Sequence, residues 1–451
     1  MNKFLEYREK YPNFIYESYK IEKLGSEIKI TFNFEIEGLT KFNPTLTINN
    51  KDIKNKNINE SYLNYLTFHI GLIEIISYIK ATCSKNIIIK CGYLNLDQIN
   101  FFKKLYYYGL GEFLYTNNIK ITEEELFEFK IECEKQPLDE IEYKSSGNLI
   151  PIGGGKDSCV TLELLKDEYD DNQTFTLNPK EAHLKTIEIA KYQDKNITVK
   201  RTIDKNLIEL NNKGFLNGHT PFSSLIAFIT YLTAYLTGKK YIILSNEGSA
   251  NEATVIGTKI NHQYSKTYEF ESDFNNYTKK YFKLDIKYFS LLRPLKEYQI
   301  GLLFSNYEKY HEVFKSCNVG SKSIPWNWCC KCSKCLFVYT ILSPFLYKEK
   351  LIKIFGKDLF KDESLKETYK ELLGYSKTKP FECVGEINEV RYASSILINK
   401  LGDDLPYLLR YYKENYPLEL NHDLEHYFNP KHNLDEHFLD ILKKELMKYV
   451  K

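Results

Sequence analysis

The stretch that most constrains this 451-residue chain is the run from residue 148 to residue 160. A short apolar strand at 149–152 leads into three glycines, and Lys156, Asp157 and Ser158 follow before an amphipathic pattern predicts a helix. Glycines at such a junction let backbone N–H groups point at one anion, and the helix dipole favours negative charge there. The spacing differs from the Walker loop, which has four residues between its first glycine and Gly-Lys-Ser/Thr. Because a purely structural turn would not need Lys-Asp-Ser, we interpret the stretch as a nucleotide-phosphate loop.

This loop, Gly-Gly-Gly-Lys-Asp-Ser, resembles the pyrophosphate loop (PP-loop) of the N-type ATP pyrophosphatases, which is usually Ser-Gly-Gly-x-Asp-Ser. Those enzymes cleave ATP to AMP and pyrophosphate. Gly153 stands where the usual serine would be, which removes one hydroxyl but keeps the backbone cradle. The resemblance implies ATP as a ligand and a parallel, doubly wound α/β domain of the HUP-like type.

Strands and helices alternate from residue 149 to about residue 304, which favours a parallel α/β sheet. Further strands are predicted at 174–179, 197–202 and 241–244. The apolar run 221–238 predicts a helix buried under the sheet rather than a membrane span. Because open α/β sheets bind ligands at the carboxyl ends of their strands, the loop and the polar run 245–252 are expected to meet in one crevice.

The segments that follow the strand at 241–244 carry more charged side chains than a connection needs. Magnesium on a triphosphate prefers carboxylate ligands, and the phosphates prefer cations. The carboxylate candidates are Asp157, Glu247 and Glu252, and the cation candidates are Lys156, Lys266 and Arg293. Any one of them is explained as well by a solvated charge or a helix cap. Their density and their place after a strand favour a shared site.

The chain divides into four predicted parts. Residues 1–145 form an α+β domain, with alternating strands near 28–36 and 127–131, that either grips the substrate or serves as a scaffold. Residues 146–305 form the ATP-binding α/β domain, and 306–345 hold a cysteine cluster. Residues 346–451 are predicted to be helical, interrupted by a loop at 379–386.

Five of the ten cysteines fall between residues 317 and 335. Cys329, Cys332 and Cys335 form a C-x2-C-x2-C run, and Cys317 precedes it, a set that suits tetrahedral zinc. A structural zinc is held similarly in the PP-loop enzyme 7-cyano-7-deazaguanine synthase. An iron–sulfur cluster and unmetallated thiols are the alternatives, although the closing cysteine of a ferredoxin pattern is absent. Cys330 is interpreted as a bystander.

Charge and composition restrict the class of protein that this chain can be. The formal net charge is +2, so the whole-chain charge gives no reason to expect nucleic acid as a partner. The N-terminus has early acids and no apolar signal core, and clustered cysteines suit a reducing compartment. We therefore expect a cytoplasmic protein without membrane attachment; the sequence leaves its oligomeric state open.

Six motifs occur in order between residues 153 and 386. They are Gly-Gly-Gly-Lys-Asp-Ser, Gly-His-Thr-Pro-Phe, Ser-Asn-Glu-x-Ser-Ala-Asn-Glu, Asn-His-Gln-Tyr-Ser-Lys, Trp-Cys-x-x-Cys-x-Lys-Cys (with Cys329 first, Cys335 last) and Lys-Pro-Phe-Glu-Cys-Val-Gly. Together they resemble the UDP-N-acetyl-α-D-muramoyl-L-alanyl-L-glutamate epimerase family of bacterial peptidoglycan synthesis. The resemblance implies ATP- and Mg²⁺-dependent inversion of the terminal L-Glu of UDP-MurNAc-L-Ala-L-Glu, with release of AMP and pyrophosphate.

The resemblance also implies roles for individual residues. The pyrophosphate cradle would be Gly153, Gly154, Gly155 and Ser158, with Lys156 nearby. Asp157 and Glu252 would hold Mg²⁺, and Asn178, Asn246, Lys266 and Arg293 would contact the nucleotide. The candidates for proton transfer and catalysis are Cys383, Glu382, His262, His219 and Glu247. A thiol suits this task because its pKa can be tuned towards neutrality.

Three alternatives remain at this stage. Another PP-loop enzyme would pass the adenylate to an amine, as an amide ligase does, or would adenylate a nucleobase of tRNA. A nucleotide-binding module without catalysis would not need the charged density after residue 244. Substrate-dependent ATP turnover separates this last class from the enzymes.

Overall fold

The computed structural model describes residues 3–49, 53, 58–420 and 423–450. Within them a single sheet of eleven strands crosses the molecule. The strands are β1 (Asn13–Leu24), β2 (Glu27–Ile36), β3 (Thr40–Phe42), β4 (Thr45–Asn49), β5 (Asn86–Ile89), β6 (Glu128–Ile131), β7 (Asn148–Pro151), β8 (Asn172–Leu177), β9 (Asn196–Thr202), β10 (Tyr241–Leu244) and β11 (Lys287–Ser290).

Seventeen α-helices are described with this sheet. They are α1 (Lys3–Lys10), α2 (Glu60–Ile79), α3 (Leu96–Gly109), α4 (Gly111–Thr116), α5 (Glu123–Leu126), α6 (Lys156–Leu164), α7 (Glu181–Ile189), α8 (Lys205–Asn212), α9 (Phe222–Thr237), α10 (Tyr268–Tyr281), α11 (Glu297–Ser305), α12 (Ser333–Leu342), α13 (Lys348–Phe355), α14 (Lys366–Leu372), α15 (Ile387–Leu401), α16 (Tyr407–Asn415) and α17 (Glu436–Leu446).

The parallel half of the sheet has the order β9-β8-β7-β10-β11. The chain moves outward from β7 to β9, then returns to the other side of β7 for β10 and β11. Strands β7 and β10 therefore flank a topological switch point, the place where ligands bind in open α/β sheets. The predicted α/β class is confirmed, and β10 has the predicted bounds.

The sheet continues without a break into the N-terminal segment. Strand β4 pairs antiparallel with β9, so that Thr45 lies opposite Thr202, and β2, β1, β5 and β6 extend the sheet beyond it. Strands β1, β5 and β6 are parallel to one another but, after three antiparallel steps, point opposite to β7–β11. The domain boundary near residue 145 stays a prediction, and the chain crosses it within one sheet.

Two hydrophobic clusters hold the layers together. One joins the N-terminal strands with α2, α3 and α9, and the other joins the parallel strands with α6, α11, α12 and α15. Helix α9 is buried along nearly its whole length and packs on α2, which explains its apolar sequence. None of the helices in the described ranges combines the length and apolar character needed to cross a membrane.

The loop predicted at 379–386 is non-helical and docks against the segment that follows β10. Lys379 N donates to Thr254 O over 2.9 Å, and Thr378 forms an isolated bridge with Val255. Gly385 permits a close approach, because an added Cβ would lie 2.9 Å from the Phe337 ring and 3.0 Å from Glu297 Cγ. These contacts bring the loop to the crevice from a distant part of the chain.

Candidate active site

The glycine loop lies at the carboxyl end of β7 and opens α6. Gly154 has φ +71°, and a Cβ there would meet the backbone of Ala182 and His183 at 3.1 Å. The backbone needs glycine at this position for both reasons. The space beside Gly153 is open, since nothing lies within 4 Å of a Cβ built on it. The loop therefore borders open space at Gly153, three residues before α6 begins.

The lysine of the loop is buried between two carboxylates. Lys156 Nζ donates to both Asp157 and Glu297. The side chain of Lys156 is 2% exposed, that of Asp157 is 27% exposed and that of Glu297 is 1% exposed. Burial lowers the pKa of Lys156, but Asp157 and Glu297 outweigh it and the net pKa is raised. Burial raises the pKa of Asp157, yet Lys156 and Lys334 more than offset this and lower it. Burial raises the pKa of Glu297 to about 8, so Lys156 and Asp157 form the charged pair near neutrality.

Cys383 lies among cations at the centre of the crevice. Lys266 Nζ is 3.2 Å from its Sγ, Lys334 Nζ donates to its carbonyl oxygen, and the charge of His262 also acts on the thiol. Burial raises the pKa of Cys383, but Lys266 and His262 overcome that effect and lower it to about 6. Burial lowers the pKa of His262, whereas Cys383 and Glu112 raise it to about 9. Near neutrality the pair is a thiolate and an imidazolium.

A carboxylate from the N-terminal segment completes this group. Glu112, on α4, accepts a hydrogen bond from His262 Nδ1, and its Oε2 lies 3.6 Å from His219 Nδ1. The two imidazole rings are 4.2 Å apart between centroids. Burial and the neighbouring His262 lower the pKa of His219 to about 3, so this ring is neutral. Nothing in the sequence singles out Glu112, because no local pattern in α4 marks it.

The glycine loop and the thiol share one electrostatic environment. The charges of Cys383, Glu247 and Asp157 raise the pKa of Lys266 against the effect of its burial. The charge of Lys334 acts on both Asp157 and Cys383. The glycine loop, two lysines and the Cys383 thiol therefore lie close together.

Other residues singled out from the sequence lie around this crevice in different settings. Arg293 is completely buried, where it donates to Glu247 O over 2.9 Å, to Lys266 O over 2.6 Å and to Glu271 over 3.0 Å. It fixes the backbone of the segments that carry Glu247 and Lys266. Glu252 is paired with Lys379 and also accepts from the backbone at the start of α15.

Three more of the predicted site residues are Asn178, Asn246 and Glu382. Asn178 is exposed at the end of β8, where its amide exchanges two 2.8 Å hydrogen bonds with the Arg201 backbone. Asn246 is half-buried just after β10. Glu382 accepts from Asn318 Nδ2 over 2.7 Å and so turns towards the segment that contains Cys317.

The four cysteines of the predicted metal set converge. Sγ distances are 3.8 Å for Cys317–Cys332, 3.7 Å for Cys329–Cys335 and 3.5 Å for Cys332–Cys335, and all four sulfurs lie within 4.8 Å of one another. A tetrahedron with metal–sulfur bonds of 2.3 Å has edges of about 3.8 Å. Two backbone N–H groups, of Gly320 and Cys329, also point at Cys317 Sγ. The geometry fits a four-thiolate metal site.

The fold and site together define an α/β protein in which a glycine loop and a cysteine of lowered pKa lie together at the switch point of a parallel sheet. Residues 6–291 match the family model of the MurL N-terminal domain, and residues 313–423 match that of the MurL C-terminal domain. The chain belongs to the UDP-N-acetyl-α-D-muramoyl-L-alanyl-L-glutamate epimerase family, which confirms the resemblance seen in its motifs.

Curated relatives carry the same name. The UDP-N-acetyl-α-D-muramoyl-L-alanyl-L-glutamate epimerase of Xanthomonas oryzae pv. oryzae is 34% identical over 338 residues, which cover 73% of this chain and 74% of the relative. The protein of that name from Salinispora tropica is 33% identical over 340 residues, covering 74% of this chain and 73% of the relative.

Proposed function

We propose that this chain inverts the terminal L-glutamate of UDP-MurNAc-L-Ala-L-Glu, driven by cleavage of ATP to AMP and pyrophosphate. Its family membership supports the substrate. The observation that supports the chemistry is the position of Lys266. Its Nζ lies 3.2 Å from Cys383 Sγ, and its charge also interacts with that of Asp157 in the glycine loop. Nucleotide chemistry and proton transfer would thus occur in one crevice.

The chemical need for both functions follows from the substrate. A free carboxylate makes the adjacent Cα–H very weakly acidic, since deprotonation would place a second negative charge beside the first. Attack of that carboxylate on the α-phosphorus of ATP forms an acyl-adenylate and expels pyrophosphate. The new carbonyl can delocalise the carbanion. Hydrolysis at this carbonyl then releases AMP and the inverted product, which pulls the reaction forward.

The parallel half of the sheet supports a PP-loop domain of the HUP-like type. Its order, β9-β8-β7-β10-β11, corresponds to 3-2-1-4-5 when numbered from the strand that precedes the loop. Gly153, Gly154, Gly155 and Ser158 would hold the phosphates at the start of α6. Asp157 would be a ligand of Mg²⁺, which supplies charge neutralisation when bound. Lys266 and Lys334 are positioned to stabilise negative charge between the loop and Cys383.

Cys383 is our choice for the base that removes the α-proton. With a pKa of about 6, the thiolate outnumbers the thiol about tenfold at pH 7. A general base works best when its pKa lies near the operating pH. Inversion requires a second group that returns a proton to the opposite face, and His219, Glu382, Glu247 and His262 stay the candidates for it.

The four-cysteine group is proposed to hold a structural zinc ion. It joins the segment that contains Cys317 to the start of α12, which in turn carries Lys334 towards Cys383. The metal would then act on the reaction only by fixing that helix. Iron–sulfur chemistry is the alternative, and metal analysis of the purified protein distinguishes the two.

The proposed function is tested by incubating the protein with UDP-MurNAc-L-Ala-L-Glu, ATP and Mg²⁺ in D₂O. We expect deuterium at the glutamate Cα and D-glutamate after acid hydrolysis, both dependent on ATP. AMP release without inversion would instead favour an adenylating amide ligase. ATP cleavage that needs tRNA would favour nucleobase modification, and an absence of turnover with any of these would contradict an adenylating enzyme.

A further inference from the structure

Glu112 has no part in the proposed chemistry, yet it is built into the centre of the site. It reaches His262 from α4, about 150 residues earlier in the chain, and its side chain is only 16% exposed. His262 is 12% exposed, so little water screens the two groups from each other. A partly buried carboxylate facing two imidazole rings is costly unless it is paired.

Several close contacts fix α4 in this place. Gly109 packs against Pro221, and a Cβ on Gly109 would approach the proline ring to 2.7 Å. Gly218 packs against Phe113 of α4, where an added Cβ would lie at 3.1 Å. On the far side of the 217–221 loop, Lys80 Nζ donates to Thr220 Oγ1 over 2.9 Å.

We propose that Glu112 is a positioning residue: its carboxylate fixes His262 as an imidazolium whose charge acts on Cys383, and thereby keeps the thiol in its base form. The proposal rests on the proposed function for its catalytic meaning. It assigns the N-terminal segment a role in proton transfer. It also explains the orientation of the ring, because a hydrogen bond from Nδ1 to a carboxylate fixes the proton on that nitrogen, as in nucleophile–His–acid arrangements.

The other charged groups around this pair do not replace Glu112. Cys383 faces Lys266, Lys334 and His262, all of which favour the thiolate when protonated. His219 faces His262, Lys80 and Lys266, which all disfavour a second positive charge. Removal of the Glu112 charge would therefore leave His262 among cations. Loss of the His262 proton would in turn lower the fraction of Cys383 that is present as thiolate.

The test is the pH dependence of Cys383 alkylation in the full-length protein without substrate. Iodoacetamide labelling is followed at the Cys383 peptide by mass spectrometry, which separates it from the other nine cysteines. The variants are Glu112→Gln, which keeps size and removes charge, and Glu112→Asp, which keeps charge and shortens the chain. Glu124→Gln, an exposed position on α5, is the matched control.

We expect the labelling midpoint of Glu112→Gln to rise by about one pH unit, which makes labelling about threefold slower at pH 6.5. Glu112→Asp should fall between Glu112→Gln and the wild type, and Glu124→Gln should match the wild type. If Glu112→Gln does not fold, the midpoint of Glu112→Asp decides. Unchanged midpoints in the folded Glu112 variants would overturn the proposal.

This readout separates the proposal from the proposed function, since it needs no turnover. A shifted midpoint in a protein that never exchanges the α-proton would support the Glu112 coupling and contradict the epimerase. An unshifted midpoint in a protein that turns over normally would contradict Glu112 alone. In an active protein, Glu112→Gln should also shift the low-pH limb of the α-proton exchange profile to higher pH. A merely structural defect would instead lower the exchange rate at every pH.

Discussion

Replacement of Lys266 by methionine tests the origin of the reactive thiolate. Lys266 Nζ and Cys383 Sγ are 3.2 Å apart. Their attraction is about 1.3 kcal/mol in a water-like dielectric and about 5 kcal/mol at an effective dielectric constant of 20. Because one pKa unit corresponds to about 1.4 kcal/mol, loss of this charge should raise the pKa of Cys383 by about one to four units.

From a starting pKa of about 6, even the smallest of these shifts lowers the thiolate fraction at pH 7 from about nine-tenths to about half. We expect α-proton exchange by Lys266→Met to fall by about twofold or more at pH 7 and to recover in part as the pH approaches 8.5. The assay is the initial rate of deuterium incorporation at saturating substrate and ATP between pH 5.5 and 8.5. Alkylation of Cys383 over the same range gives the thiol pKa directly.

Lys259→Met is the control, because Lys259 is exposed on the same segment. Its pH profile should match that of the wild type. Thermal melting of both variants checks that they are folded. A Lys266→Met enzyme whose low-pH limb and Cys383 labelling are unchanged would refute the claim that this lysine sets the charge state of the thiol.

Three further substitutions test other parts of the account. Cys383→Ser should still release pyrophosphate in the presence of substrate but should lose α-proton exchange; normal exchange would exclude Cys383 as the base. Lys156→Met leaves Asp157 without its buried cation and should lower the free energy of unfolding by about 3–5 kcal/mol; denaturant melts should show partial recovery on adding Asp157→Asn, and no loss would contradict the buried pair. Cys329→Ser should lose bound zinc, as measured by elemental analysis. Cys330→Ser should keep its zinc, because the Cys330 thiol is directed to Phe355 O. Equal metal contents in the two variants would contradict the four-thiolate site.

The sequence predicted those features that depend on short segments. Strand β10 and the buried helix α9 could be recognised because a run of apolar residues has a definite length between polar boundaries. The convergence of the glycine loop with the segment after β10 followed from the rule that ligands bind at carboxyl ends of parallel strands. The class of fold and the family motifs were accessible for the same reason.

Long-range contacts could not be predicted from the sequence in this way. The alternation in β4 (Thr45–Asn49) marks a strand, but nothing in it specifies β9 as its partner across some 150 residues. Likewise, Glu112 enters the site only because Gly109 and Gly218 allow α4 to pack against the 217–221 loop. Local periodicity carries no information about such approaches.

The position of Arg293 shows a different limit. Its sequence context, after a strand and near other charged residues, suggested a phosphate contact. In the structure its guanidinium donates to two backbone carbonyls and to Glu271 within the core. An arginine that fixes backbone and one that binds a ligand have the same local sequence signal, and only burial distinguishes them.

The central claim is that activation of the glutamate carboxylate as an adenylate makes its α-proton removable. It is tested most directly with UDP-MurNAc-L-Ala-L-Glu labelled with ¹⁸O in the terminal α-carboxylate, ATP and Mg²⁺ in ordinary water. Attack of the carboxylate on the α-phosphorus and hydrolysis at the carbonyl carbon leave one labelled oxygen in AMP. The account predicts one ¹⁸O in each AMP, formed together with the D-glutamyl product. Inversion that proceeds without formation of AMP would contradict it.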